Sequence, residues 1–286
     1  VRVLHLSGTL TEMAGQHGAL LKEDIQRGAM PYLGNQCKNL IANSYLFKDH
    51  PILQKLALGF VRLAVQKPLL AQVPRTYMQQ SRALSEASGV PYEEIEQAVL
   101  QADTFNILVR HALGRYVFGQ LRGGFPGCTS AVALNEATNS RGLIHARNMD
   151  YPVVGRWDVF PTVIYFDPTG IDQGQRYVAI TTAGVHAPGV TGVNENGLSF
   201  AAHFHCARVT SPFGMPIQFI ATEALRKAKT LAQAIDVIRD YVSAGSWAIV
   251  VTSAKENDAA VVEMVHGKIF VRKPEKGILA HSNYFR

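Results

Sequence analysis

Hydrophobic positions recur along this chain with two different periods, and the change from one to the other falls near residue 127. After a short opening strand over 1–6, the apolar residues of 11–30, 53–67 and 91–116 return at helical spacing, and Pro91 suits a first helical turn. From Cys128 onward the segments 129–134, 143–147, 162–166, 177–182, 198–203, 247–252 and 259–265 are short and rich in β-branched or aromatic residues. Gly, Pro, Asn or Asp part them. They predict strands of antiparallel sheets. One helix interrupts them over 217–242, where Ala221, Leu225, Ala228, Leu231, Ala234, Ile235 and Ile238 share a face. The chain thus divides into a mainly helical segment, 1–127, and a β segment, 128–286. With no repeat or low-complexity linker between them, the pattern predicts one α+β structural unit.

Composition narrows the class. Of 286 residues 47% are hydrophobic and 17% charged, which argues against a long disordered region. No apolar run reaches the roughly 18 residues of a membrane span, and the best, near residue 60, is broken by Lys55, Arg62 and Lys67. The net charge of +6 is scattered rather than gathered into a stripe, so nucleic acid is not an expected partner. Cys37, Cys128 and Cys206 are too few and too far apart for a disulfide framework or a C-x-x-C zinc site. An opening Val1 in place of methionine fits a removed leader and export to the periplasm or beyond.

The chemistry centres on Cys128, which follows the bend Gly123-Gly124-Phe125-Pro126-Gly127 at the start of a strand. Glycine before a nucleophile admits backbone conformations closed to other residues, and a thiol there can attack the preceding carbonyl in an N-to-S acyl shift. A lone cysteine is more often a small buried hydrophobe. Here, however, strand 129–134, a turn over 135–142 and strand 143–149 form a hairpin in which opposed residue numbers sum to roughly 277 for a symmetric turn. Arg147, Asn148 and Asp150 therefore end beside Cys128. A guanidinium there lowers a thiol pKa, and a carboxylate can hold a neighbouring amine. The bland alternative is an ordinary ion pair closing the hairpin.

Cys128-Thr129-Ser130-Ala131-Val132-Ala133 and Gly142-Leu143-Ile144-His145-Ala146-Arg147-Asn148-Met149-Asp150-Tyr151 closely resemble the nucleophile region of a group of N-terminal nucleophile (Ntn) hydrolases. The group comprises choloylglycine hydrolase, acid ceramidase and the peptidase C45 acyltransferases. Gly8 with Glu12, Gly15, Gln16, His17 and Gly18 resembles the opening motif of the C45 branch, and Gly192-Val193-Asn194-Glu195-Asn196-Gly197-Leu198 its central turn. His281-Ser282-Asn283-Tyr284-Phe285 is similar to the strand that carries the oxyanion-hole asparagine.

The resemblance implies a four-layer αββα sandwich with two stacked antiparallel sheets, and self-cleavage of the Gly127–Cys128 bond. The freed α-amine of Cys128 would then act as base for its own thiol, with Arg147, Asp150 and Asn283 completing the catalytic set. Partners would be a linear N-acyl amide and the cleaved N-terminal fragment; a homo-oligomer is compatible with the sequence, and no cofactor is implied. Family members continue beyond the position of Arg286 with further strands and usually another active-site arginine. Many also carry an asparagine as second oxyanion donor where this chain has His203, Phe204 and His205.

Asn148, Tyr151, His203 and His205 are candidate substrate-pocket residues. The two histidines share a strand face and could offer two metal ligands, but no third is evident in the pattern, so no metal site is expected. The rival function is a non-enzymatic or unprocessed binding protein on the same fold. A papain-type protease would need a helix starting at the cysteine, whereas the residues after Cys128 alternate as a strand.

Overall fold

A computed structural model describes residues 1–109, 127–139, 142–150, 155–205 and 209–284. The bend 123–126, the helical extension expected over 110–116, Tyr151, Cys206 and Phe285 lie outside the described residues.

Strand β1 (Arg2–Gly8) leads into helix α1 (Leu10–Leu20). Thr9 accepts the Glu12 N–H while the Glu12 carboxylate returns to the Thr9 N–H, a reciprocal cap. The opening motif is thus partly a helix start. His17 is fully buried and accepts the Gly184 N–H at 3.0 Å. The single helix expected over 11–30 is instead α1, α2 (Lys22–Arg27) and α3 (Ala29–Gly34), followed by α4 (Gln36–Asn43). Leu21 and Gly28 leave helical geometry, and a Cβ at Gly28 would lie 2.6 Å from the Asp24 carbonyl oxygen.

Helix α5 (Pro51–Val61) runs through a π-helical stretch (Arg62–Gln66) into α6 (Lys67–Leu70); α7 (Arg75–Ser88) and α8 (Tyr92–Leu108) follow. The helix expected over 217–242 is two, α9 (Ile217–Lys227) and α10 (Leu231–Arg239). Thr230 breaks the run by capping α10 through the Gln233 N–H.

The remaining strands are β2 (Gly127–Leu134), β3 (Leu143–Asp150), β4 (Pro161–Pro168), β5 (Tyr177–Thr182), β6 (Thr191–Asn194), β7 (Leu198–Phe204), β8 (Trp247–Ser253), β9 (Asp258–Val265), β10 (Lys268–Arg272) and β11 (Ile278–His281). They form an eight-stranded sheet, β1-β4-β5-β6-β7-β8-β9-β10, and a three-stranded sheet, β11-β2-β3. All described neighbours are antiparallel except β1 and β4, which pair in parallel. That corrects the wholly antiparallel expectation. Parallel neighbours need a long crossover, and here the helical segment and the β2–β3 hairpin intervene between them.

Two cores define the layers. Leu4, Leu6, Phe200, Ile249 and Val262 face the helices, whereas Ala201, Ala248, Val250, Ala259 and Val261 meet Val132, Leu134 and Leu279 of the small sheet. The small sheet therefore sits over β7–β9. On the same face Val3, Tyr165 and Ile180 of β1, β4 and β5 are exposed. Among the described residues no helix covers the outer face of the small sheet, where Ile144 and Ile278 are exposed. The helix–sheet–sheet order matches the α+β class expected.

Candidate active site

The hairpin pairs Gly127 with Asp150, Cys128 with Met149 and Ser130 with Arg147, each summing to the 277 inferred from a symmetric turn. Because side chains alternate along strands, Arg147 projects on the face of Cys128 and Asp150 on that of Gly127. The Cys128 thiol is buried, with Arg147 Nη2 3.6 Å from Sγ. The same nitrogen donates to the Ala202 carbonyl at 2.7 Å, and Nη1 donates to Thr191 Oγ1. Two neighbouring strands thus hold the guanidinium beside the sulfur.

Asn283 reaches Cys128 just past β11. Its Oδ1 accepts the Cys128 backbone N–H at 2.7 Å, and its Nδ2 donates to the Phe204 carbonyl at 2.6 Å. One acceptor and one donor fix the orientation of the amide, and the second Nδ2 hydrogen is left for another acceptor. A Cβ built on Gly127 would lie 3.5 Å from Asp150 Oδ2 and 3.8 Å from Asn283 Oδ1, so both side chains flank the Gly127–Cys128 peptide. Asn148 donates to Asp150 Oδ1 at 2.9 Å, on the outer face of the hairpin.

Burial pushes the Cys128 thiol up, and the Arg147 charge with a hydrogen bond from the Phe204 backbone opposes it without winning. The arginine lowers the thiol as expected, but desolvation is the larger effect and sets the net direction. The same burial pushes Arg147 down, partly offset by the thiol. Cys37 is pushed up to about 12 by burial alone, in keeping with an inert side chain.

Cys128 and Arg147 line an apolar cavity of about 110 Å³, walled by Met30, Leu33, Phe105, Val190, Phe204 and Trp247. Its helical wall, from α3 and α8, was not legible in the sequence. Only the tertiary packing brings residues a hundred positions upstream onto Cys128.

His203 and His205 do not line this cavity, which corrects their assignment to a substrate pocket; both are fully buried. His203 Nε2 lies 2.8 Å from Ser130 Oγ, and His145, on the Arg147 face, lies 2.7 Å from Ser199 Oγ and 3.4 Å from Ser130 Oγ. Burial pushes His203 down to about 3 and His145 and His205 to about 4.

His205, Glu263 and His281 bring three ligand atoms within 4.8 Å of one another, a third that the sequence pattern did not reveal. The rings of His205 and His281 are parallel, at 16°, with centroids 4.9 Å and Nε2 atoms 2.7 Å apart. Those lengths place the rings head to head in nearly one plane, the geometry of an N–H···N bond. Two nitrogens on one tetrahedral zinc would stand about 3.3 Å apart. Arg272 lies 3.2 Å from His281 Nδ1, so the cluster is a hydrogen-bonded chain.

A helical layer on a large sheet, a second sheet on its other face and a cysteine opening a strand between them define the Ntn-hydrolase class. Residues 136–286 match the family described as acyl-coenzyme A:6-aminopenicillanic acid acyl-transferase, and the chain belongs to that family. The match takes in Arg147, Asp150 and Asn283 and begins after Cys128.

Among curated proteins, dcd1B of Dictyostelium discoideum is 25% identical over 92% of this chain and 50% of its own length. For dcd1A of the same organism the figures are 21%, 83% and 52%. The chain spans about half the length of these relatives. Among solved structures, a Caenorhabditis elegans ortholog of N-acylethanolamine-hydrolyzing acid amidase aligns at TM-score 0.46 and 21% identity, covering 56% of this chain and 71% of that one. A mutant conjugated bile acid hydrolase of Clostridium perfringens aligns at 0.40 and 13%, covering 56% and 54%.

Proposed function

We propose that this chain is an autoprocessing cysteine Ntn enzyme that hydrolyses linear N-acyl amides or transfers their acyl group. One observation carries the reading: the Cys128 thiol faces an apolar cavity while Arg147, Asn283 and Asp150 converge on the thiol and on the peptide bond before it. Family membership supports acyl transfer as the reaction class.

In the first stage Cys128 Sγ attacks the Gly127 carbonyl carbon. A C–S bond forms, the C–N bond breaks, and the nitrogen keeps its proton and gains another to become an α-amine. Water then cleaves the thioester, releasing the Gly127 carboxylate and the thiol. Asn283 Oδ1, already 2.7 Å from that nitrogen, retains the new amine, and Asp150 orients it. With a reference pKa near 7.7 to 8.0, the amine can take the proton of its own thiol.

In turnover the thiolate attacks the amide carbonyl of a substrate whose acyl group fills the cavity. Two donors then serve the tetrahedral oxyanion, supported by their position at the sulfur: the second Nδ2 hydrogen of Asn283 and the Phe204 backbone N–H, which hydrogen-bonds the thiol. Phe204 thereby takes the place the family often gives to an asparagine. The tetrahedral intermediate collapses as the substrate C–N bond breaks, the Cys128 ammonium returning its proton to the departing amine. The thioester then passes its acyl group to water or to an amine acceptor, restoring the thiol.

Denaturing mass spectrometry of the purified protein tests the proposal. The expected result is two fragments, 1–127 and 128–286, that co-elute under native conditions, with Cys128→Ala whole and inactive. A single unbroken chain that still cleaves N-acyl amides overturns it.

A further inference from the structure

Away from Cys128, the 20 residues of Pro51–Leu70 form a rod about 30 Å long with two unlike faces. Val61, Val65 and Leu69 are buried in the main core. Ile52, Leu56, Phe60 and Leu63, spaced four, four and three residues apart and so on one side of the helix, are 75%, 64%, 63% and 63% exposed. Leu53 beside them, and Tyr45 and Leu46 before the helix, are exposed as well. Isolated exposed leucines are ordinary on a protein surface, but a continuous apolar stripe marks a binding face.

Charge decides what it binds. From His50 to Ser85 there is no Asp or Glu, while Lys55, Arg62, Lys67, Arg75 and Arg82 fall in that stretch. Arg62 is paired with Glu93 from α8, and Arg82 lies over the Tyr92 ring. Lys55, Lys67 and Arg75 are exposed beside or just beyond the stripe. No single described helix is long and apolar enough to cross a membrane. The helix itself carries cations and no carboxylate, the nearest anions being Asp49 before it and Glu93, which is taken up by Arg62. An apolar stripe with such a positive excess has the chemistry of a helix that lies in an interface, its side chains among acyl chains and its lysines at anionic headgroups.

We propose that this chain docks on an anionic lipid surface through the outer face of Pro51–Leu70. The proposal goes beyond the chemistry at Cys128 and does not depend on it. A second copy of the chain could also cover an apolar stripe, but it would bring the same cations against themselves, whereas anionic lipid answers both features at once.

Co-sedimentation of the full chain with phosphatidylcholine vesicles, with and without phosphatidylserine, is the test. The expected result is binding to the serine-containing vesicles at least tenfold stronger than to phosphatidylcholine alone, and weakened by high salt. The triple variant Ile52→Ser, Leu56→Ser, Phe60→Ser should weaken it on the order of a hundredfold with unchanged circular dichroism, since all three side chains already face water. Lys55→Glu with Lys67→Glu should weaken only the serine-dependent part, by about tenfold.

Phe60→Trp gives a reading that needs no loss of binding: its emission should shift to the blue on anionic vesicles and be quenched by bromine-labelled acyl chains. No binding to anionic vesicles, or an indole at this position that stays in water when vesicles bind, overturns the proposal. So does a wild-type dimer that ignores vesicles and that the triple variant dissociates.

Discussion

At the scale of single residues, the site is a set of backbone and side-chain amides arranged around one sulfur. The Asn283 amide has separable duties, because Oδ1 meets the Cys128 nitrogen while Nδ2 meets the Phe204 carbonyl. Asn283→Ala loses both contacts; Asn283→Asp keeps an acceptor but sets a negative charge where the proposed chemistry develops the oxyanion. We expect kcat to fall in the order wild type, Ala, Asp, the first step on the order of 100-fold, with a smaller change in KM. Steady-state kinetics on processed protein checks it, and wild-type turnover in Asn283→Asp would remove Asn283 from the oxyanion hole.

Under the proposed chemistry, Asp150→Asn preserves shape and removes the charge at the new amine. Turnover should drop on the order of 100-fold with little change in melting temperature. The reverse pattern, full activity with lower stability, would make Asp150 an ordinary partner of Asn148.

Among the elements, the hairpin was the most legible part of the chain. A period of two and a turn of fixed length determine register, so the partners of Cys128 could be placed by arithmetic before any contact was known. The segment 177–182 likewise forms the strand its pattern predicts. Strands β6, β10 and β11 have only 4 or 5 residues, too few for alternation to register. Apolar periodicity predicts continuous long helices because it does not sense a cap such as Thr230 or a backbone departure such as Gly28.

The motif around Asn194 was legible as a motif, but its role near the site is to hold elements together. Asn194 Oδ1 accepts the N–H groups of Asn196 and Leu198, and its Nδ2 donates to the carbonyls of Leu225 and Ala228 at the end of α9. Gly189 brings the other end of this connection against the same helix: a Cβ there would lie 2.1 Å from the Thr222 nitrogen. Gly189→Ala must push α9 away, at a cost of about 1–3 kcal/mol. It should also lower activity, since Val190 lines the cavity and Thr191 holds Arg147. Denaturant unfolding and turnover measured together check both, and a variant as stable as wild type would show that this approach is slack.

For the whole molecule, buried histidines set the response to acid. His17 and His203 are held at about 3, and His145, His186 and His205 at about 4, in each case chiefly by burial against an ordinary value of 6.5. Between pH 6.5 and 4 the unfolded chain takes up protons that the fold refuses, so stability falls as pH falls. Asp103, pushed up from 3.8 to about 7 by burial, acts the other way, because the fold keeps a proton that the unfolded chain has lost. Glu96, also raised by burial, acts with it, and five groups outweigh two. The melting temperature should be level above about pH 7 and decline steadily from pH 6.5 to 4; a rise on acidification would mean that the histidines are not neutral in the fold.

The span of chain between Cys128 and its amide partner also has a consequence in time. Arg147 lies 19 residues from the nucleophile and Asn283 lies 155. At about 5–20 residues per second, a ribosome adds Arg147 roughly 1–4 s after Cys128 but Asn283 only about 8–31 s after it. The thiol and its guanidinium can therefore meet on a nascent chain long before anything grips the scissile nitrogen. Under the proposed chemistry self-cleavage waits for β11 to be synthesised and to pair with β2, so translation itself keeps the nucleophile silent until the fold around it has closed.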